Sequence, residues 1–141
     1  MDKFVRLRME RQERLRGDSP LMARVVLVEA ALHTEVGGPA VHRNQLRHLI
    51  TLAGADNIDL RVLPFSAGGH PAVGSNYTVL TFPGEVEPEV VYSENVVNFV
   101  LQDENDDVLR FQRVYDRVWS MALDPATSVN LIGCAITKLE E

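Results

Sequence analysis

Residues whose chemistry could make a site are sparse in this sequence and sit mostly at the ends of apolar runs. Glu29 closes the valine-rich run ARVVLVE, and Glu94 closes VVYSE. A carboxylate at the end of an apolar strand is costly unless paired or hydrogen-bonded. Two such groups could form an acid/base pair. They could equally bridge to Arg24 or Arg61, or face solvent. His33 and His70 each follow the end of an apolar run. If those runs are neighbouring parallel strands, both histidines face the crevice at the strands' carboxyl ends, where α/β sheets usually bind ligands. With Phe65, they define one candidate ligand-binding set: Glu29, His33, Phe65, His70 and Glu94.

Other signals fall short of chemistry. Gly69-His70-Pro71-Ala72-Val73-Gly74-Ser75 has the glycine spacing of a phosphate-binding loop but no lysine to meet the phosphates. Pro71 also removes a backbone N–H that such a cradle needs. The following NYTVLTF has the composition of a strand, where a helix should start. A turn that uses glycine for positive φ explains the segment. His42 and His48 stand six apart, on different faces of one helix, whereas metal-binding pairs there stand three or four apart. DENDD, 103–107, lacks the glycine and distal glutamate of a calcium loop, and acids suit a helix N-terminus. One cysteine, Cys134, makes no internal disulfide and no zinc framework, and among apolar neighbours it reads as a small buried residue. No catalytic residue, metal ligand or cofactor site is assigned.

Composition bounds the class. The chain has 141 residues, 45% apolar and 24% charged, with a net charge of −6. That is the profile of one soluble globular domain spanning 1–141. The acidic balance opposes attraction to nucleic-acid phosphates. Charge is uneven, however: residues 1–20 hold six basic residues against four acids. Arg6–Glu10 and Glu10–Arg14 fall four apart, as neighbours on a solvated helix face. No apolar run approaches the eighteen residues or so of a membrane span, and no apolar signal segment opens the chain, so the cytoplasm is the expected location.

The positioning elements follow from hydrophobic spacing. Residues 2–16 read as a helix ended by Gly17 and Pro20. The stretch ARVVLVEAAL, 23–32, begins as a strand, and its continuous valine-rich run suits one buried on both faces. Pro39 after Gly38 starts a helix over 40–55, with Val41, Leu46, Leu49, Ile50 and Ala53 at helical spacing and Gly54 at its end. Residues 58–65 form a second strand, so strand, helix and strand make a parallel βαβ crossover. NYTVLTF (76–82) and PEVVYSE (88–94) read as an antiparallel pair around Pro83-Gly84. A helix from about 104 to 123 lines Val108, Phe111, Tyr115, Val118 (with Trp119) and Ala122 on one face. Asp124 and Pro125 begin a last helix whose stripe is Leu131, Ile132, Ala135, Ile136 and Leu139. The expected class is α+β (or α/β): a mixed sheet of about four strands with one βαβ crossover, packed by an N-terminal helix and two C-terminal helices.

Four stretches in order carry a resemblance: RMERQERL (8–15), VVLVEAAL with VGGPAVHRNQLRHLITLA (25–53), NIDLRVLPFSAGGH (57–70), and VVYSE with the later ALDPATSVNLI (90–132). Together they resemble the DUF5753 domain, the C-terminal region of Scr1/WhiJ-like, antitoxin-like transcriptional regulators of actinobacteria. Such regulators carry an N-terminal Xre-type helix-turn-helix and a segment like P-x-L-V-P-G-L-L-Q-T, neither of which is found here. The resemblance therefore implies an N-terminally truncated regulator domain that does not itself bind DNA. It implies a non-catalytic role in ligand sensing or partner binding. The implied partner is a small DUF397-type protein, or a small-molecule or peptide ligand, with no membrane. The alternative is a small stand-alone tailoring enzyme of a natural-product pathway that works mainly by positioning. An N-terminal helix with Phe4 and Leu7 exposed would favour a homodimer through residues 2–16.

Overall fold

The computed structural model describes residues 3–84, 88–95 and 97–140. The order is α1 (Lys3–Glu13), β1 (Ala23–Val28), a short α2 (Ala30–His33), α3 (Pro39–Ala53), β2 (Ile58–Leu63), a 3-10 turn (Phe65–Ala67), β3 (Tyr77–Leu80), β4 (Val90–Glu94), β5 (Phe99–Gln102), α4 (Asn105–Met121) and α5 (Pro125–Lys138). The class is α+β. The strands divide into two sheets, a parallel β1–β2 pair and an antiparallel β3–β4–β5 sheet, where sequence alone suggests one sheet of about four strands. The chain forms two compact units, one of residues 1–65 with 122–141, the other of residues 66–121.

In the first unit, β1 and β2 pair from Ala23↔Ile58 to Val28↔Leu63, joined through α2 and α3. The core is Leu32, Leu46, Leu60, Val62, Ile132 and Ala135, contributed by α2, α3, β2 and α5. Gly38, at φ 85°, turns the chain into α3, and Pro39 occupies its first turn. Positive φ of this kind costs a side-chain-bearing residue strain that glycine avoids. The stretch 23–32 begins as strand β1, which stops at Val28, and Ala30 to His33 form α2. Val25 and Val28 are exposed, so β1 is not buried on both faces as its composition suggests. Two strands make a sheet with two edges, and valine enrichment alone does not report how many layers cover it.

His42 is buried, and its Nε2 lies 3.0 Å from the Leu32 carbonyl. Because that oxygen accepts, the ring carries its proton on Nε2. Cys134 is exposed, on the face of α5 opposite Ala135 and Ile132, which corrects the expectation of a buried thiol. α1 has no buried residue; it is not a core-packing helix. The segment after it is tied down by Asn57, whose side-chain amide donates to the carbonyls of Leu15 (3.1 Å) and Leu21 (2.8 Å).

In the second unit, α4 covers one face of the antiparallel sheet. Tyr77 meets Phe111 edge-on at 4.8 Å between ring centres, and its hydroxyl donates to the Phe111 carbonyl at 3.0 Å. Val91 and Val108 are buried there. On α4, Val118 is buried, while Tyr115 and Trp119 stack at 5.8 Å and remain half-buried. Strand β5, absent from the sequence expectations, pairs with β4 from Glu94↔Phe99 to Val91↔Gln102. No helix of the described residues is long and apolar enough to cross a membrane.

Candidate functional site

The carboxyl ends of β1 and β2 place three of the expected residues together. Glu29 continues the ladder by donating its N–H to the Leu63 carbonyl (2.9 Å), then turns into helical geometry at the start of α2. Its side chain folds back across the strand ends, where Oε2 accepts the Phe65 N–H at 2.7 Å. His33 sits one helical turn on, with Nε2 3.6 Å from Glu29 Oε1. That is beyond hydrogen-bond distance, and the contact is an ion pair only when the imidazole is protonated. The His33 and Phe65 rings stack at 6.0 Å between centres, tilted by 19°.

This geometry answers the cost of a carboxylate in an apolar strand. The Glu29 side chain is only 15% exposed, and one of its oxygens accepts a backbone N–H while the His33 ring lies beside the other. Arg61, a possible partner by sequence, instead holds Asp59 at 3.1 Å. Phe65 is 63% exposed, so one ring of the stacked pair presents its surface to solvent. The arrangement is a small aromatic platform with a fixed carboxylate at its base. It can take a planar group on the rings and a cationic or N–H donor on Glu29 Oε1.

The other two expected residues belong to the second unit. His70 opens a turn in which Val73 and Ser75 donate to the His70 and Ala72 carbonyls. Its Nδ1 is buried with no hydrogen-bond partner among the described residues. Gly68 and Gly74, at φ 71° and 73°, supply the positive φ that this connection needs. Glu94 ends β4 exposed, opposite Phe99, and accepts from the Tyr92 hydroxyl at 3.4 Å. Among the described residues no cluster of three or more histidine, cysteine or acidic side chains could hold a metal ion.

A feature with no signal in the sequence is a cavity of about 200 Å³ in the first unit, lined by Gln12, Leu15, Arg16, Thr51, Leu52, Ala55 and Ile58. Its lining comes from the end of the N-terminal segment and the end of α3, and no residue type or spacing announces it.

No curated protein and no solved structure matches the chain. A sequence model of the family described as "Domain of unknown function (DUF5753)" matches residues 1–133, nearly the whole length. The chain therefore belongs to the DUF5753 family.

Proposed function

We propose that this is a non-catalytic binding domain of an antitoxin-like regulator, acting in the cytoplasm and sensing a small molecule, a peptide or a small DUF397-type protein. The observation that carries the reading is the solvent-facing His33–Phe65 ring pair above the Glu29 carboxylate, at the carboxyl ends of two parallel strands. Groups held in place by backbone hydrogen bonds before a ligand arrives reduce the ordering cost of binding. The ligand chemistry that fits is a planar group with a cationic or N–H donor edge.

Benzamidine is a suitable probe, being a planar ring with a cationic donor. In an NMR titration it should shift the Phe65 amide and the His33 ring resonances. Phe65→Ala should weaken this by about tenfold, the loss of roughly one stacking and cation–π contact. Glu29→Gln keeps an acceptor for the Phe65 N–H and removes the charge, so it should weaken binding without disturbing the fold. No shift at these residues, or an unchanged titration in both variants, would refute the site.

A second reading is a small tailoring enzyme that works by positioning, with the 3.6 Å Glu29–His33 contact as its acid/base pair. It requires that His33→Ala abolish turnover of a substrate that still binds.

A further inference from the structure

We infer that the cavity between the N-terminal segment and the end of α3 is a second ligand site, and that it takes a small one-ring carboxylate. The cavity lies wholly within the first compact unit. It is separate from the Glu29 platform: Ile58 in its lining begins β2, and Phe65 follows the end of that strand. The length of β2 puts about 17 Å between the two.

Local hydrogen bonds shape the cavity. α1 ends at Glu13, and the chain continues in turns where the Leu15 and Arg16 N–H groups donate to the Gln12 and Glu13 carbonyls. The Leu21 N–H then returns to the Arg14 carbonyl at 2.9 Å and closes a loop. The Asn57 amide holds that loop through the carbonyls of Leu15 and Leu21, against the turn that joins α3 to β2. The wall is thus tied in place without a ligand, which lowers the ordering cost of binding one.

The lining selects the ligand's chemistry. Its apolar part is Leu15, Leu52, Ala55 and Ile58, all half-buried. The carbonyls there are already engaged: those of Thr51 and Leu52 accept from Gly54 and Ala55, and that of Ala55 accepts from Ile58. Its polar part is Gln12, Arg16 and Thr51, all exposed, so the floor is apolar and the mouth polar. The Thr51 hydroxyl donates to the Arg47 carbonyl at 3.2 Å, which leaves Arg16 and Gln12 as the donors at the mouth. Among the described residues neither of these two side chains has a hydrogen-bond or ion-pair partner, and no acidic side chain lines the cavity. A guanidinium with unused N–H groups above an apolar floor favours an anion with an apolar body, and a carboxylate matches its fork.

Volume sets the ligand's size. The cavity measures about 200 Å³. An engineered apolar cavity of about 150 Å³ holds benzene. The space therefore suits one ring on the floor with a carboxyl group at the mouth.

The test is an NMR titration of the full chain with benzoate, with benzyl alcohol as the uncharged match. Benzoate should shift the methyl resonances of Leu52, Ala55 and Ile58, with a dissociation constant on the order of millimolar for a ligand of about nine non-hydrogen atoms. Benzyl alcohol should bind more weakly at the same residues. Arg16→Gln should weaken benzoate by about tenfold and leave benzyl alcohol unchanged, since glutamine keeps the polarity and removes the charge. Ala55→Met should abolish binding of both by filling the floor, with a circular dichroism spectrum to check its fold. Glu29→Gln should leave the benzoate titration as in wild type, so failure of this site is distinct from failure of the platform. No shifts at the three floor residues, shifts centred on His33 and Phe65 instead, or an equal effect of Arg16→Gln on both ligands would each overturn the proposal.

Discussion

Ser128 Oγ accepts the Val62 backbone N–H at 2.9 Å, and both residues have no solvent exposure. The bond closes an edge. The carbonyls of Asn57, just before β2, and of Leu63 at its end accept from Ala23 and Glu29, so alternate residues turn their backbone groups toward β1. Val62 faces the other way, where a two-stranded sheet has no third strand. The start of α5 stands in for that strand: Ser128 takes the Val62 N–H, and the Leu123 N–H donates to the Val62 carbonyl at 2.9 Å. Ser128 in turn donates to the Leu123 carbonyl at 3.3 Å. Buried backbone groups need partners, and here a helix start supplies them.

Ser128→Ala should therefore destabilise the chain by about 1–3 kcal/mol, the cost of leaving a buried donor unsatisfied. A urea titration should show a lower midpoint with an unchanged slope. A midpoint equal to wild type would mean that another group or water replaces the hydroxyl.

His42 should behave as a structural residue. His42→Leu fills similar space but leaves the Leu32 carbonyl without its ring donor, and should cost about 1–2 kcal/mol. His42→Gln, which keeps an N–H donor, should recover part of this. Equal stability of the Leu and Gln variants would show that shape alone matters at this position.

Local rules of the chain were legible where they depend on neighbouring residues. Asp124 caps α5 and Pro125 starts it, Pro39 starts α3 after Gly38, and the parallel β1–β2 pair follows from strand, helix and strand. The partition into two sheets was not legible, because edge pairing is set by packing over long sequence distances. Strand β5 was missed although its turn has a readable signature. Asn95 Oδ1 accepts the N–H groups of Val97 and Asn98 at 2.9 and 3.0 Å, the local bonding that asparagine favours in turns.

The candidate site was half legible for a related reason. Glu29, His33 and Phe65 sit at the ends of strands paired in a register that hydrophobic spacing could suggest. His70 and Glu94 were grouped with them on the assumption of one sheet, and they belong to the other compact unit. Cys134 shows the same limit at the scale of one helix turn: apolar neighbours in sequence do not place a residue on the apolar face.

Tyr77 gives an alkaline test of the second unit. Burial pushes its phenol above the usual value of 10.0, with Tyr115 and Asp116 adding in the same direction. The folded state thus favours the protonated form, and this contribution is complete below the unfolded value and lost as pH rises through the folded one. Tyr77→Phe should cost about 1 kcal/mol at neutral pH, through loss of the hydrogen bond to the Phe111 carbonyl. It should also lose less stability than wild type above pH 10. Parallel alkaline limbs in the two proteins would assign the loss to other groups.

Asp124 gives the acid counterpart. Its Oδ2 accepts from the Thr127 hydroxyl at 2.6 Å and its Oδ1 from the Thr127 N–H at 3.0 Å. The side-chain hydrogen bond first, then the backbone one, hold its carboxyl below the usual value of 3.8. The folded state thus favours the carboxylate. Its contribution is complete above the unfolded value and is lost as pH falls through the lower, folded one. Asp124→Asn is the informative variant, because asparagine caps helices about as well as aspartate and does not titrate. Urea midpoints measured from about pH 5 down to about pH 2 should fall less steeply in Asp124→Asn than in wild type. At neutral pH the aspartate should be the more stable of the two, since its charge also favours the helix N-terminus. Identical acid limbs would show that the cap acts through its hydrogen bonds alone, without linkage to the proton.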